Sequence, residues 1–469
     1  MTDNKYKELG KNSAWTFLGN VGGKAIALLM LPFYTSVLSV ADYGILDMMA
    51  GYSATLSEAV TLCIAQAIFV FPKDAEESDR KRYFTSGLFY ALILAVVLGC
   101  IVKFITGLCL SPHDIFSSEF NYIYAMSIVT FLQTYLQNFI RSIGKMKVYG
   151  FIGIIYASFT AFYSFILMPR WGIEGYVSAI VLSNATTIIY TFVAAGLRKF
   201  FSMYYLDWEK CRQLLVYSAP LVVNVLINFM TQFLNRPFME HYQSLENVGV
   251  YSVASKFPSI ISIMVPVFCM ALQISVMEEF GKEGYRRFYN NILRLTTTLL
   301  MSGSILLIPM GKYIIRAFAD EEYADAWIYM PVLLLSSVFN YWGYFSGTNF
   351  TAVKKSKYFM YSGILTVVVS VVLNLLLIPT HGLWGVCFAT LFTGLAFFLS
   401  RLVFSWQYVP VSGICKYVVQ IIMFITVAVV CVHFDIDALS MAVGTCMAFA
   451  ILYVNRDLLP LLLIQIKKK

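Results

Sequence analysis

The chain has 469 residues, of which 59% are hydrophobic and only 13% charged, with a formal net charge of +8 at pH 7 and a mean hydropathy of +0.72. Soluble domains carry about 25% charged residues. This composition therefore excludes a soluble enzyme and a soluble nucleic-acid-binding domain, and describes a chain whose solvent is the bilayer.

In chain order, fourteen apolar segments are expected at about 15–37, 44–71, 84–107, 121–140, 149–168, 174–196, 214–235, 246–275, 292–314, 326–350, 358–378, 383–404, 415–433 and 438–455. Each is close to the ~20 residues that cross ~30 Å of hydrocarbon as helix. The expected fold class is all-α, a polytopic membrane protein of about 14 transmembrane helices. The first run is too long for a signal-peptide core and reads as a retained helix. Most lysines and arginines fall in alternate connections, from Lys5, Lys7 and Lys11 to Lys467, Lys468 and Lys469, with Arg401 and Lys416 between segments 12 and 13. This is the positive-inside bias, so the basicity encodes topology and not nucleic-acid binding, and both termini are expected in the cytoplasm. The nine cysteines contain no C-x-x-C pair and suggest neither a disulfide framework nor a metal site.

The chain repeats itself. A shift of 205 residues carries Pro32-Phe33 onto Pro237-Phe238, Ser39 onto Ser244, Asp42 onto Asn247 and Gly44 onto Gly249. Later the shift is 210, carrying Lys145 and Lys147 onto Lys355 and Lys357, Pro169 onto Pro379, Gly172 onto Gly382 and Gly175 onto Gly385. Six helices per half make the repeats parallel, an arrangement common in transporters. The expected organisation is an N-lobe at 1–196, a cytoplasmic interfacial linker at 197–213, a C-lobe at 214–404, and segments 13 and 14 with a basic tail at 405–469, the lobes flanking a central cleft. The copies differ in charge: the 205 shift puts Phe229 where Lys24 stands and Ser252 where Asp47 stands.

Ionisable groups at bilayer depth cost about 2.5–3.5 kcal/mol each on insertion scales, so they usually face a protein interior or a wet cavity. Segment 1 carries Ser13, Thr16, Asn20 and Lys24 on one helical stripe, and segment 7 carries Asn224, Asn228, Thr231 and Asn235, followed by Arg236. Segment 8 has Ser252, Ser255, Ser259 and Ser262 beside Lys256, and segment 2 has Asp47, Gly51, Ala54 and Glu58 on one face. Snorkelling competes with a functional reading for Lys24 and Arg236, ion pairing for Asp47 and Glu58, and helix packing for the serines.

Several stretches carry a family resemblance: GGKAIALLMLPFYTSVLSVADYGILD at 22–47, QAIFVFPKD at 66–74, YSAPLVVNVL at 217–226, NRPF at 235–238, VGVYSVASKFPSI at 248–260 and ALQISVMEEF at 271–280. In order and spacing they resemble the oligosaccharide flippases of the polysaccharide transporter family, in the superfamily that also holds multidrug extruders and lipid II flippases. The resemblance implies transport of an oligosaccharide joined by pyrophosphate to a polyprenol, with no enzymatic step and no cofactor. Its expected partners are the lipid-linked oligosaccharide and membrane lipid, with a polysaccharide polymerase and glycosyltransferases nearby in the pathway. Lys24, Arg236, Tyr251 and Lys256 stand where the family commonly has those residue types. Lys24, Lys256 and Arg236 are then the candidate pyrophosphate ligands. Asn20, Asn224, Asn228, Thr231, Asn235 and Tyr251 are the candidate polar and sugar contacts, and Asp47 and Glu58 the candidate ion-coupling or gating residues. Relatives often have an acid before the arginine of NRPF, where this chain has Asn235. A lipid II flippase and a cation-coupled multidrug exporter are the alternatives.

Overall fold

The computed structural model describes residues 22–456 except 24, 74, 354, 356, 435 and 436, and only the backbone of 260, 262–271, 273–275, 277 and 278. The described residues form helices and short 3-10 turns, without a strand. Two compact units divide the chain at Phe229 and Met230.

In the first unit, α1 (Leu31–Val37) is followed by α2 (Val40–Ala59), α3 (Ile64–Val70), α4 (Glu77–Cys109), α5 (Phe120–Ser142) and α6 (Met146–Ala194). As a continuous helix, the 49 residues of α6 would be about 74 Å long, more than twice the hydrocarbon thickness. Gly172, with φ 52° and ψ −123°, divides it into two passes. Segment 2, expected as one helix, is broken: α2 and α3 meet at 60°. Leu62 and Cys63 take positive φ there without a glycine, and the Cys63 N–H reaches back to the Glu58 carbonyl.

The linker is docked on α4. Thr85 of α4 donates to the Phe200 carbonyl at 2.8 Å, and the Asp207 N–H donates to Ser86 Oγ at 2.8 Å. Lys210 of α7 (Trp208–Ser218) pairs with Asp79 at 2.6 Å. Leu197, Phe200 and Leu214 join Phe84, Tyr135 and Phe139 in the core of this unit. Pro220, which lacks an N–H, then separates α7 from α8 (Leu221–Gln232).

The second unit continues with α9 (Asn235–Tyr242), α10 (Leu245–Glu279), α11 (Tyr285–Phe318), α12 (Met330–Ala352) and α13 (Lys357–Trp406), then α14 (Ile414–Phe434) and α15 (Asp437–Val454). Gly382 divides α13 with φ 58° and ψ −131°, nearly the values at Gly172. The duplication also reappears in the helix starts, where Ser39 accepts from the Asp42 N–H and Ser244 from the Asn247 N–H. α14 and α15 pack on α11. One face of α14, with Tyr417, Phe424 and Val427, completes the core of Met301, Ile305, Trp342 and Phe345, while Val418, Ile422, Ile425 and Val429 stay exposed. Among the described residues seven helices are long and apolar enough to cross a membrane by length and composition, and α2 with α3 makes an eighth as a bent pair. With α6 and α13 counted as two passes each, and α7 to α9 as one, the described helices account for the second to fourteenth expected segments, and α1 for the end of the first.

Candidate functional site

In the second unit, the break between α8 and α9 precedes Pro237 just as the turn at Met30 precedes Pro32. Pro near a helix start forfeits only an N–H that has no intrahelical partner. The break places Asn235 and Arg236 at the start of α9. Asn235 is 6% exposed; its Nδ2 donates to Tyr251 Oη at 2.7 Å and lies 3.4 Å from Thr390 Oγ1, while its Oδ1 accepts from Arg236 Nη1 at 3.3 Å. Tyr251 Oη and Thr390 Oγ1 are 3.3 Å apart. The Arg236 guanidinium lies 4.7 Å from the Phe233 ring centre and 5.4 Å from that of Tyr251. A planar guanidinium held against rings suits phosphate or carboxylate recognition, which it makes bidentate.

The other expected residues are distributed differently. Asn224 and Asn228 are exposed on α8 and Thr231 is half-buried, so the stripe ends at the helix break and Asn235 belongs to the next helix. Lys256 is half-buried on α10, about 140° around the helix from Tyr251. The segment 8 hydroxyls turn back on their own helix, Ser255 donating to the Ser252 carbonyl at 2.9 Å and Ser259 to the Lys256 carbonyl at 2.6 Å. Asn20 and Lys24 lie outside the described residues.

Arg401 is counted with the connection after segment 12 although that segment runs to 404. Instead of lying in a cytoplasmic connection it is inside α13, 8% exposed, with Nε donating to Ser362 Oγ at 3.3 Å and the guanidinium 4.0 Å from the Phe397 ring centre. Gly343 and Gly347 make room for it: a Cβ at Gly343 would come within 2.3 Å of Phe397, and one at Gly347 within 2.9 Å of Arg401 Nη1.

In the first unit, Glu58 ends the intact part of α2 and is half-buried; its Oε2 accepts from Gln66 Nε2 across the break at 3.2 Å. Asp47 is half-buried and interacts electrostatically with Tyr176, as do Tyr34, Tyr43 and Tyr156. Sequence reasoning singled out neither Tyr34, Tyr156 and Tyr176 nor Gln66. The signal that could have found the tyrosines is the repeat, because their equivalents in the second half are Met239, Thr366 and Val386. Among the described residues no group of three or more His, Cys, Asp or Glu side chains could hold a metal ion.

The polysaccharide biosynthesis protein family model matches residues 9–273, more than half of the chain, and the MatE family model matches residues 220–376. An uncharacterized membrane protein of Methanocaldococcus jannaschii is 22% identical over 420 residues, covering 83% of this chain and 96% of that protein. Among solved structures, the lipid II flippase MurJ in an inward closed conformation is similar with a TM-score of 0.71 at 15% identity, over 96% of this chain and 99% of that chain. A Vibrio cholerae MATE transporter follows with a TM-score of 0.56 at 15% identity, over 87% and 97%. A MOP superfamily transporter from Pyrococcus furiosus gives 0.55 at 14% identity, over 86% and 95%. The class is therefore a multi-pass membrane protein with the fold of these flippase and transporter structures. Within that class, the chain belongs to the polysaccharide biosynthesis protein family.

Proposed function

We propose that the protein is a flippase that moves a polyprenyl-pyrophosphate-linked oligosaccharide, the repeat unit of a surface polysaccharide such as O-antigen or capsule, from the cytoplasmic to the outer leaflet of the bacterial inner membrane by alternating access. The observation that carries this reading is Arg236, a guanidinium oriented by Asn235, Phe233 and Tyr251 in a chain of the polysaccharide biosynthesis family. Each buried CH₂ is worth about 0.8 kcal/mol, so a long polyprenyl tail stays in the bilayer while the head needs a polar path. Lys24, Lys256 and Arg236 supply charge for the pyrophosphate, and Asn20, Asn224, Asn228, Thr231, Asn235 and Tyr251 line the path for the head. Asp47 and Glu58 are the groups for coupling or gating. Both termini face the cytoplasm, and glycosyltransferases and a polymerase act before and after the transported step.

The test is complementation of a strain lacking its surface-polysaccharide flippase. Wild-type protein restores the polymer, whereas Lys24→Ala, Lys256→Ala and Arg236→Ala at equal membrane abundance reduce it at least about 10-fold, the loss expected from about 1.4 kcal/mol of binding or barrier. Full restoration by all three variants would overturn the anion-binding role. Rescue of peptidoglycan-precursor export instead of polymer would reassign the substrate to lipid II.

A further inference from the structure

The duplication provides an internal comparison, since one backbone frame is filled in two ways. Across the two shifts, Tyr34, Tyr43, Asp47, Tyr156, Tyr176 and Asn184 of the first unit correspond to Met239, Val248, Ser252, Thr366, Val386 and Gly394 of the second. In the second unit Met239, Val248, Ser252 and Val386 are wholly buried and Thr366 is 1% exposed. A dry, mainly apolar filling is therefore sufficient to hold this arrangement of helices. The first unit instead gathers four phenols, a carboxylate and an amide, at a cost in desolvation that packing alone does not require.

The Tyr34 and Tyr176 rings meet edge to face at 5.7 Å, Asp47 and Tyr156 interact with Tyr176, and Asn184 lies against Tyr156. The Asn184 side chain is 1% exposed; its Nδ2 donates to the Ile180 carbonyl at 2.9 Å, while Oδ1 is buried without a hydrogen-bond partner. Tyr34, Asp47, Tyr156 and Tyr176 are each half-buried and each keep accessible surface, whereas a hard cation prefers a closed cage of oxygens. A sugar ring presents apolar C–H faces and a rim of hydroxyls. Phenol rings match the faces, and phenol, carboxylate and amide oxygens match the rim.

We propose that this tyrosine-rich group of the first unit is the subsite that holds the glycan of the lipid-linked substrate. The proposal rests on the flippase reading above and assigns recognition within it: the glycan to the hydroxyls of the first unit, the pyrophosphate to the cations. It moves glycan recognition from the Asn224, Asn228 and Thr231 stripe to a set of residues that the second unit lacks.

The experiment is equilibrium binding to the full-length protein in nanodiscs. Two probes are compared, undecaprenyl pyrophosphate and the pool of polyprenyl-pyrophosphate-linked oligosaccharides extracted from a producing strain. Wild type binds the glycosylated pool at least about 10-fold more tightly. Tyr176→Ala and Asp47→Asn bring the two affinities together without weakening undecaprenyl pyrophosphate, and Tyr176→Phe retains part of the preference because the ring remains. Thr366→Val, at the equivalent place in the second unit, keeps the wild-type preference. Equal wild-type affinity for the two probes overturns the glycan subsite and leaves the flippase reading standing; parallel loss of both probes in the variants overturns the subsite as well. Wild type that binds neither probe overturns the flippase reading itself. If the alanine variant does not fold, Tyr34→Phe with Tyr176→Phe tests the same hydroxyls, and an undiminished preference in that double variant overturns the proposal.

Discussion

Asn235 shows how one neutral side chain can organise a cationic site. Its two amide atoms are both engaged, with the oxygen turned to the guanidinium and the nitrogen to two hydroxyls. Replacing Asn235 with Leu removes the donor to Tyr251 Oη and an acceptor for Arg236, leaving the Tyr251 and Thr390 hydroxyls each other and the Val386 carbonyl. A buried polar group left without its partner costs about 1–3 kcal/mol, so Asn235→Leu should lower the thermal unfolding temperature in detergent and weaken binding of undecaprenyl pyrophosphate, whereas Asn235→Gln should retain more of both. The presence of Asn235 and Arg236 was legible in the sequence. Their partners were not, because Tyr251 lies 16 positions away and Thr390 155 positions away, and no helical periodicity links such residues.

At the scale of elements, glycines fix the two hairpins of the repeat. A Cβ at Gly175 would come 2.5 Å from the Leu167 carbonyl oxygen, and one at Gly385 2.0 Å from that of Leu377. Both obstacles are backbone, so neither can rotate away. Gly385→Ala should destabilise the protein by about 1–3 kcal/mol or more, and Gly175→Ala should act in the same direction; equal unfolding temperatures for wild type and both variants would contradict the hairpin geometry. The linker makes a second element-scale prediction. Ser86→Ala removes the acceptor for the Asp207 N–H and should speed amide exchange through residues 203–210 while leaving α5 unchanged. The same docking should be insensitive to pH near neutrality. Its hydrogen bond to the Asp79 carboxylate holds the Lys210 ammonium above its ordinary range. A raised lysine contributes fully below its unfolded value of about 10.4 and loses that contribution only as pH rises through the folded one. Exchange in the linker, corrected for intrinsic rate, should therefore be flat from about pH 6 to about pH 9.

For the whole molecule, the distribution of basic residues predicts that reporter fusions at either terminus behave as cytoplasmic ones: an alkaline phosphatase fused after Lys469 should be inactive and a green fluorescent protein there should be bright. The opposite pattern would invert the orientation expected from the positive-inside bias. The sequence by itself determined the solvent, the number of passes and the duplication, since these depend on local apolarity and on residues such as Gly172 and Gly382 whose backbone requirement is the same in both copies. Only the tertiary structure decided where α2 breaks, that the linker is docked on α4, that Arg401 is buried among rings, and that the Tyr34 and Tyr176 rings meet. Those features come from contacts between residues distant along the chain, and an apolar background of Leu, Ile, Val and Phe gives almost no local signal of which helix faces which.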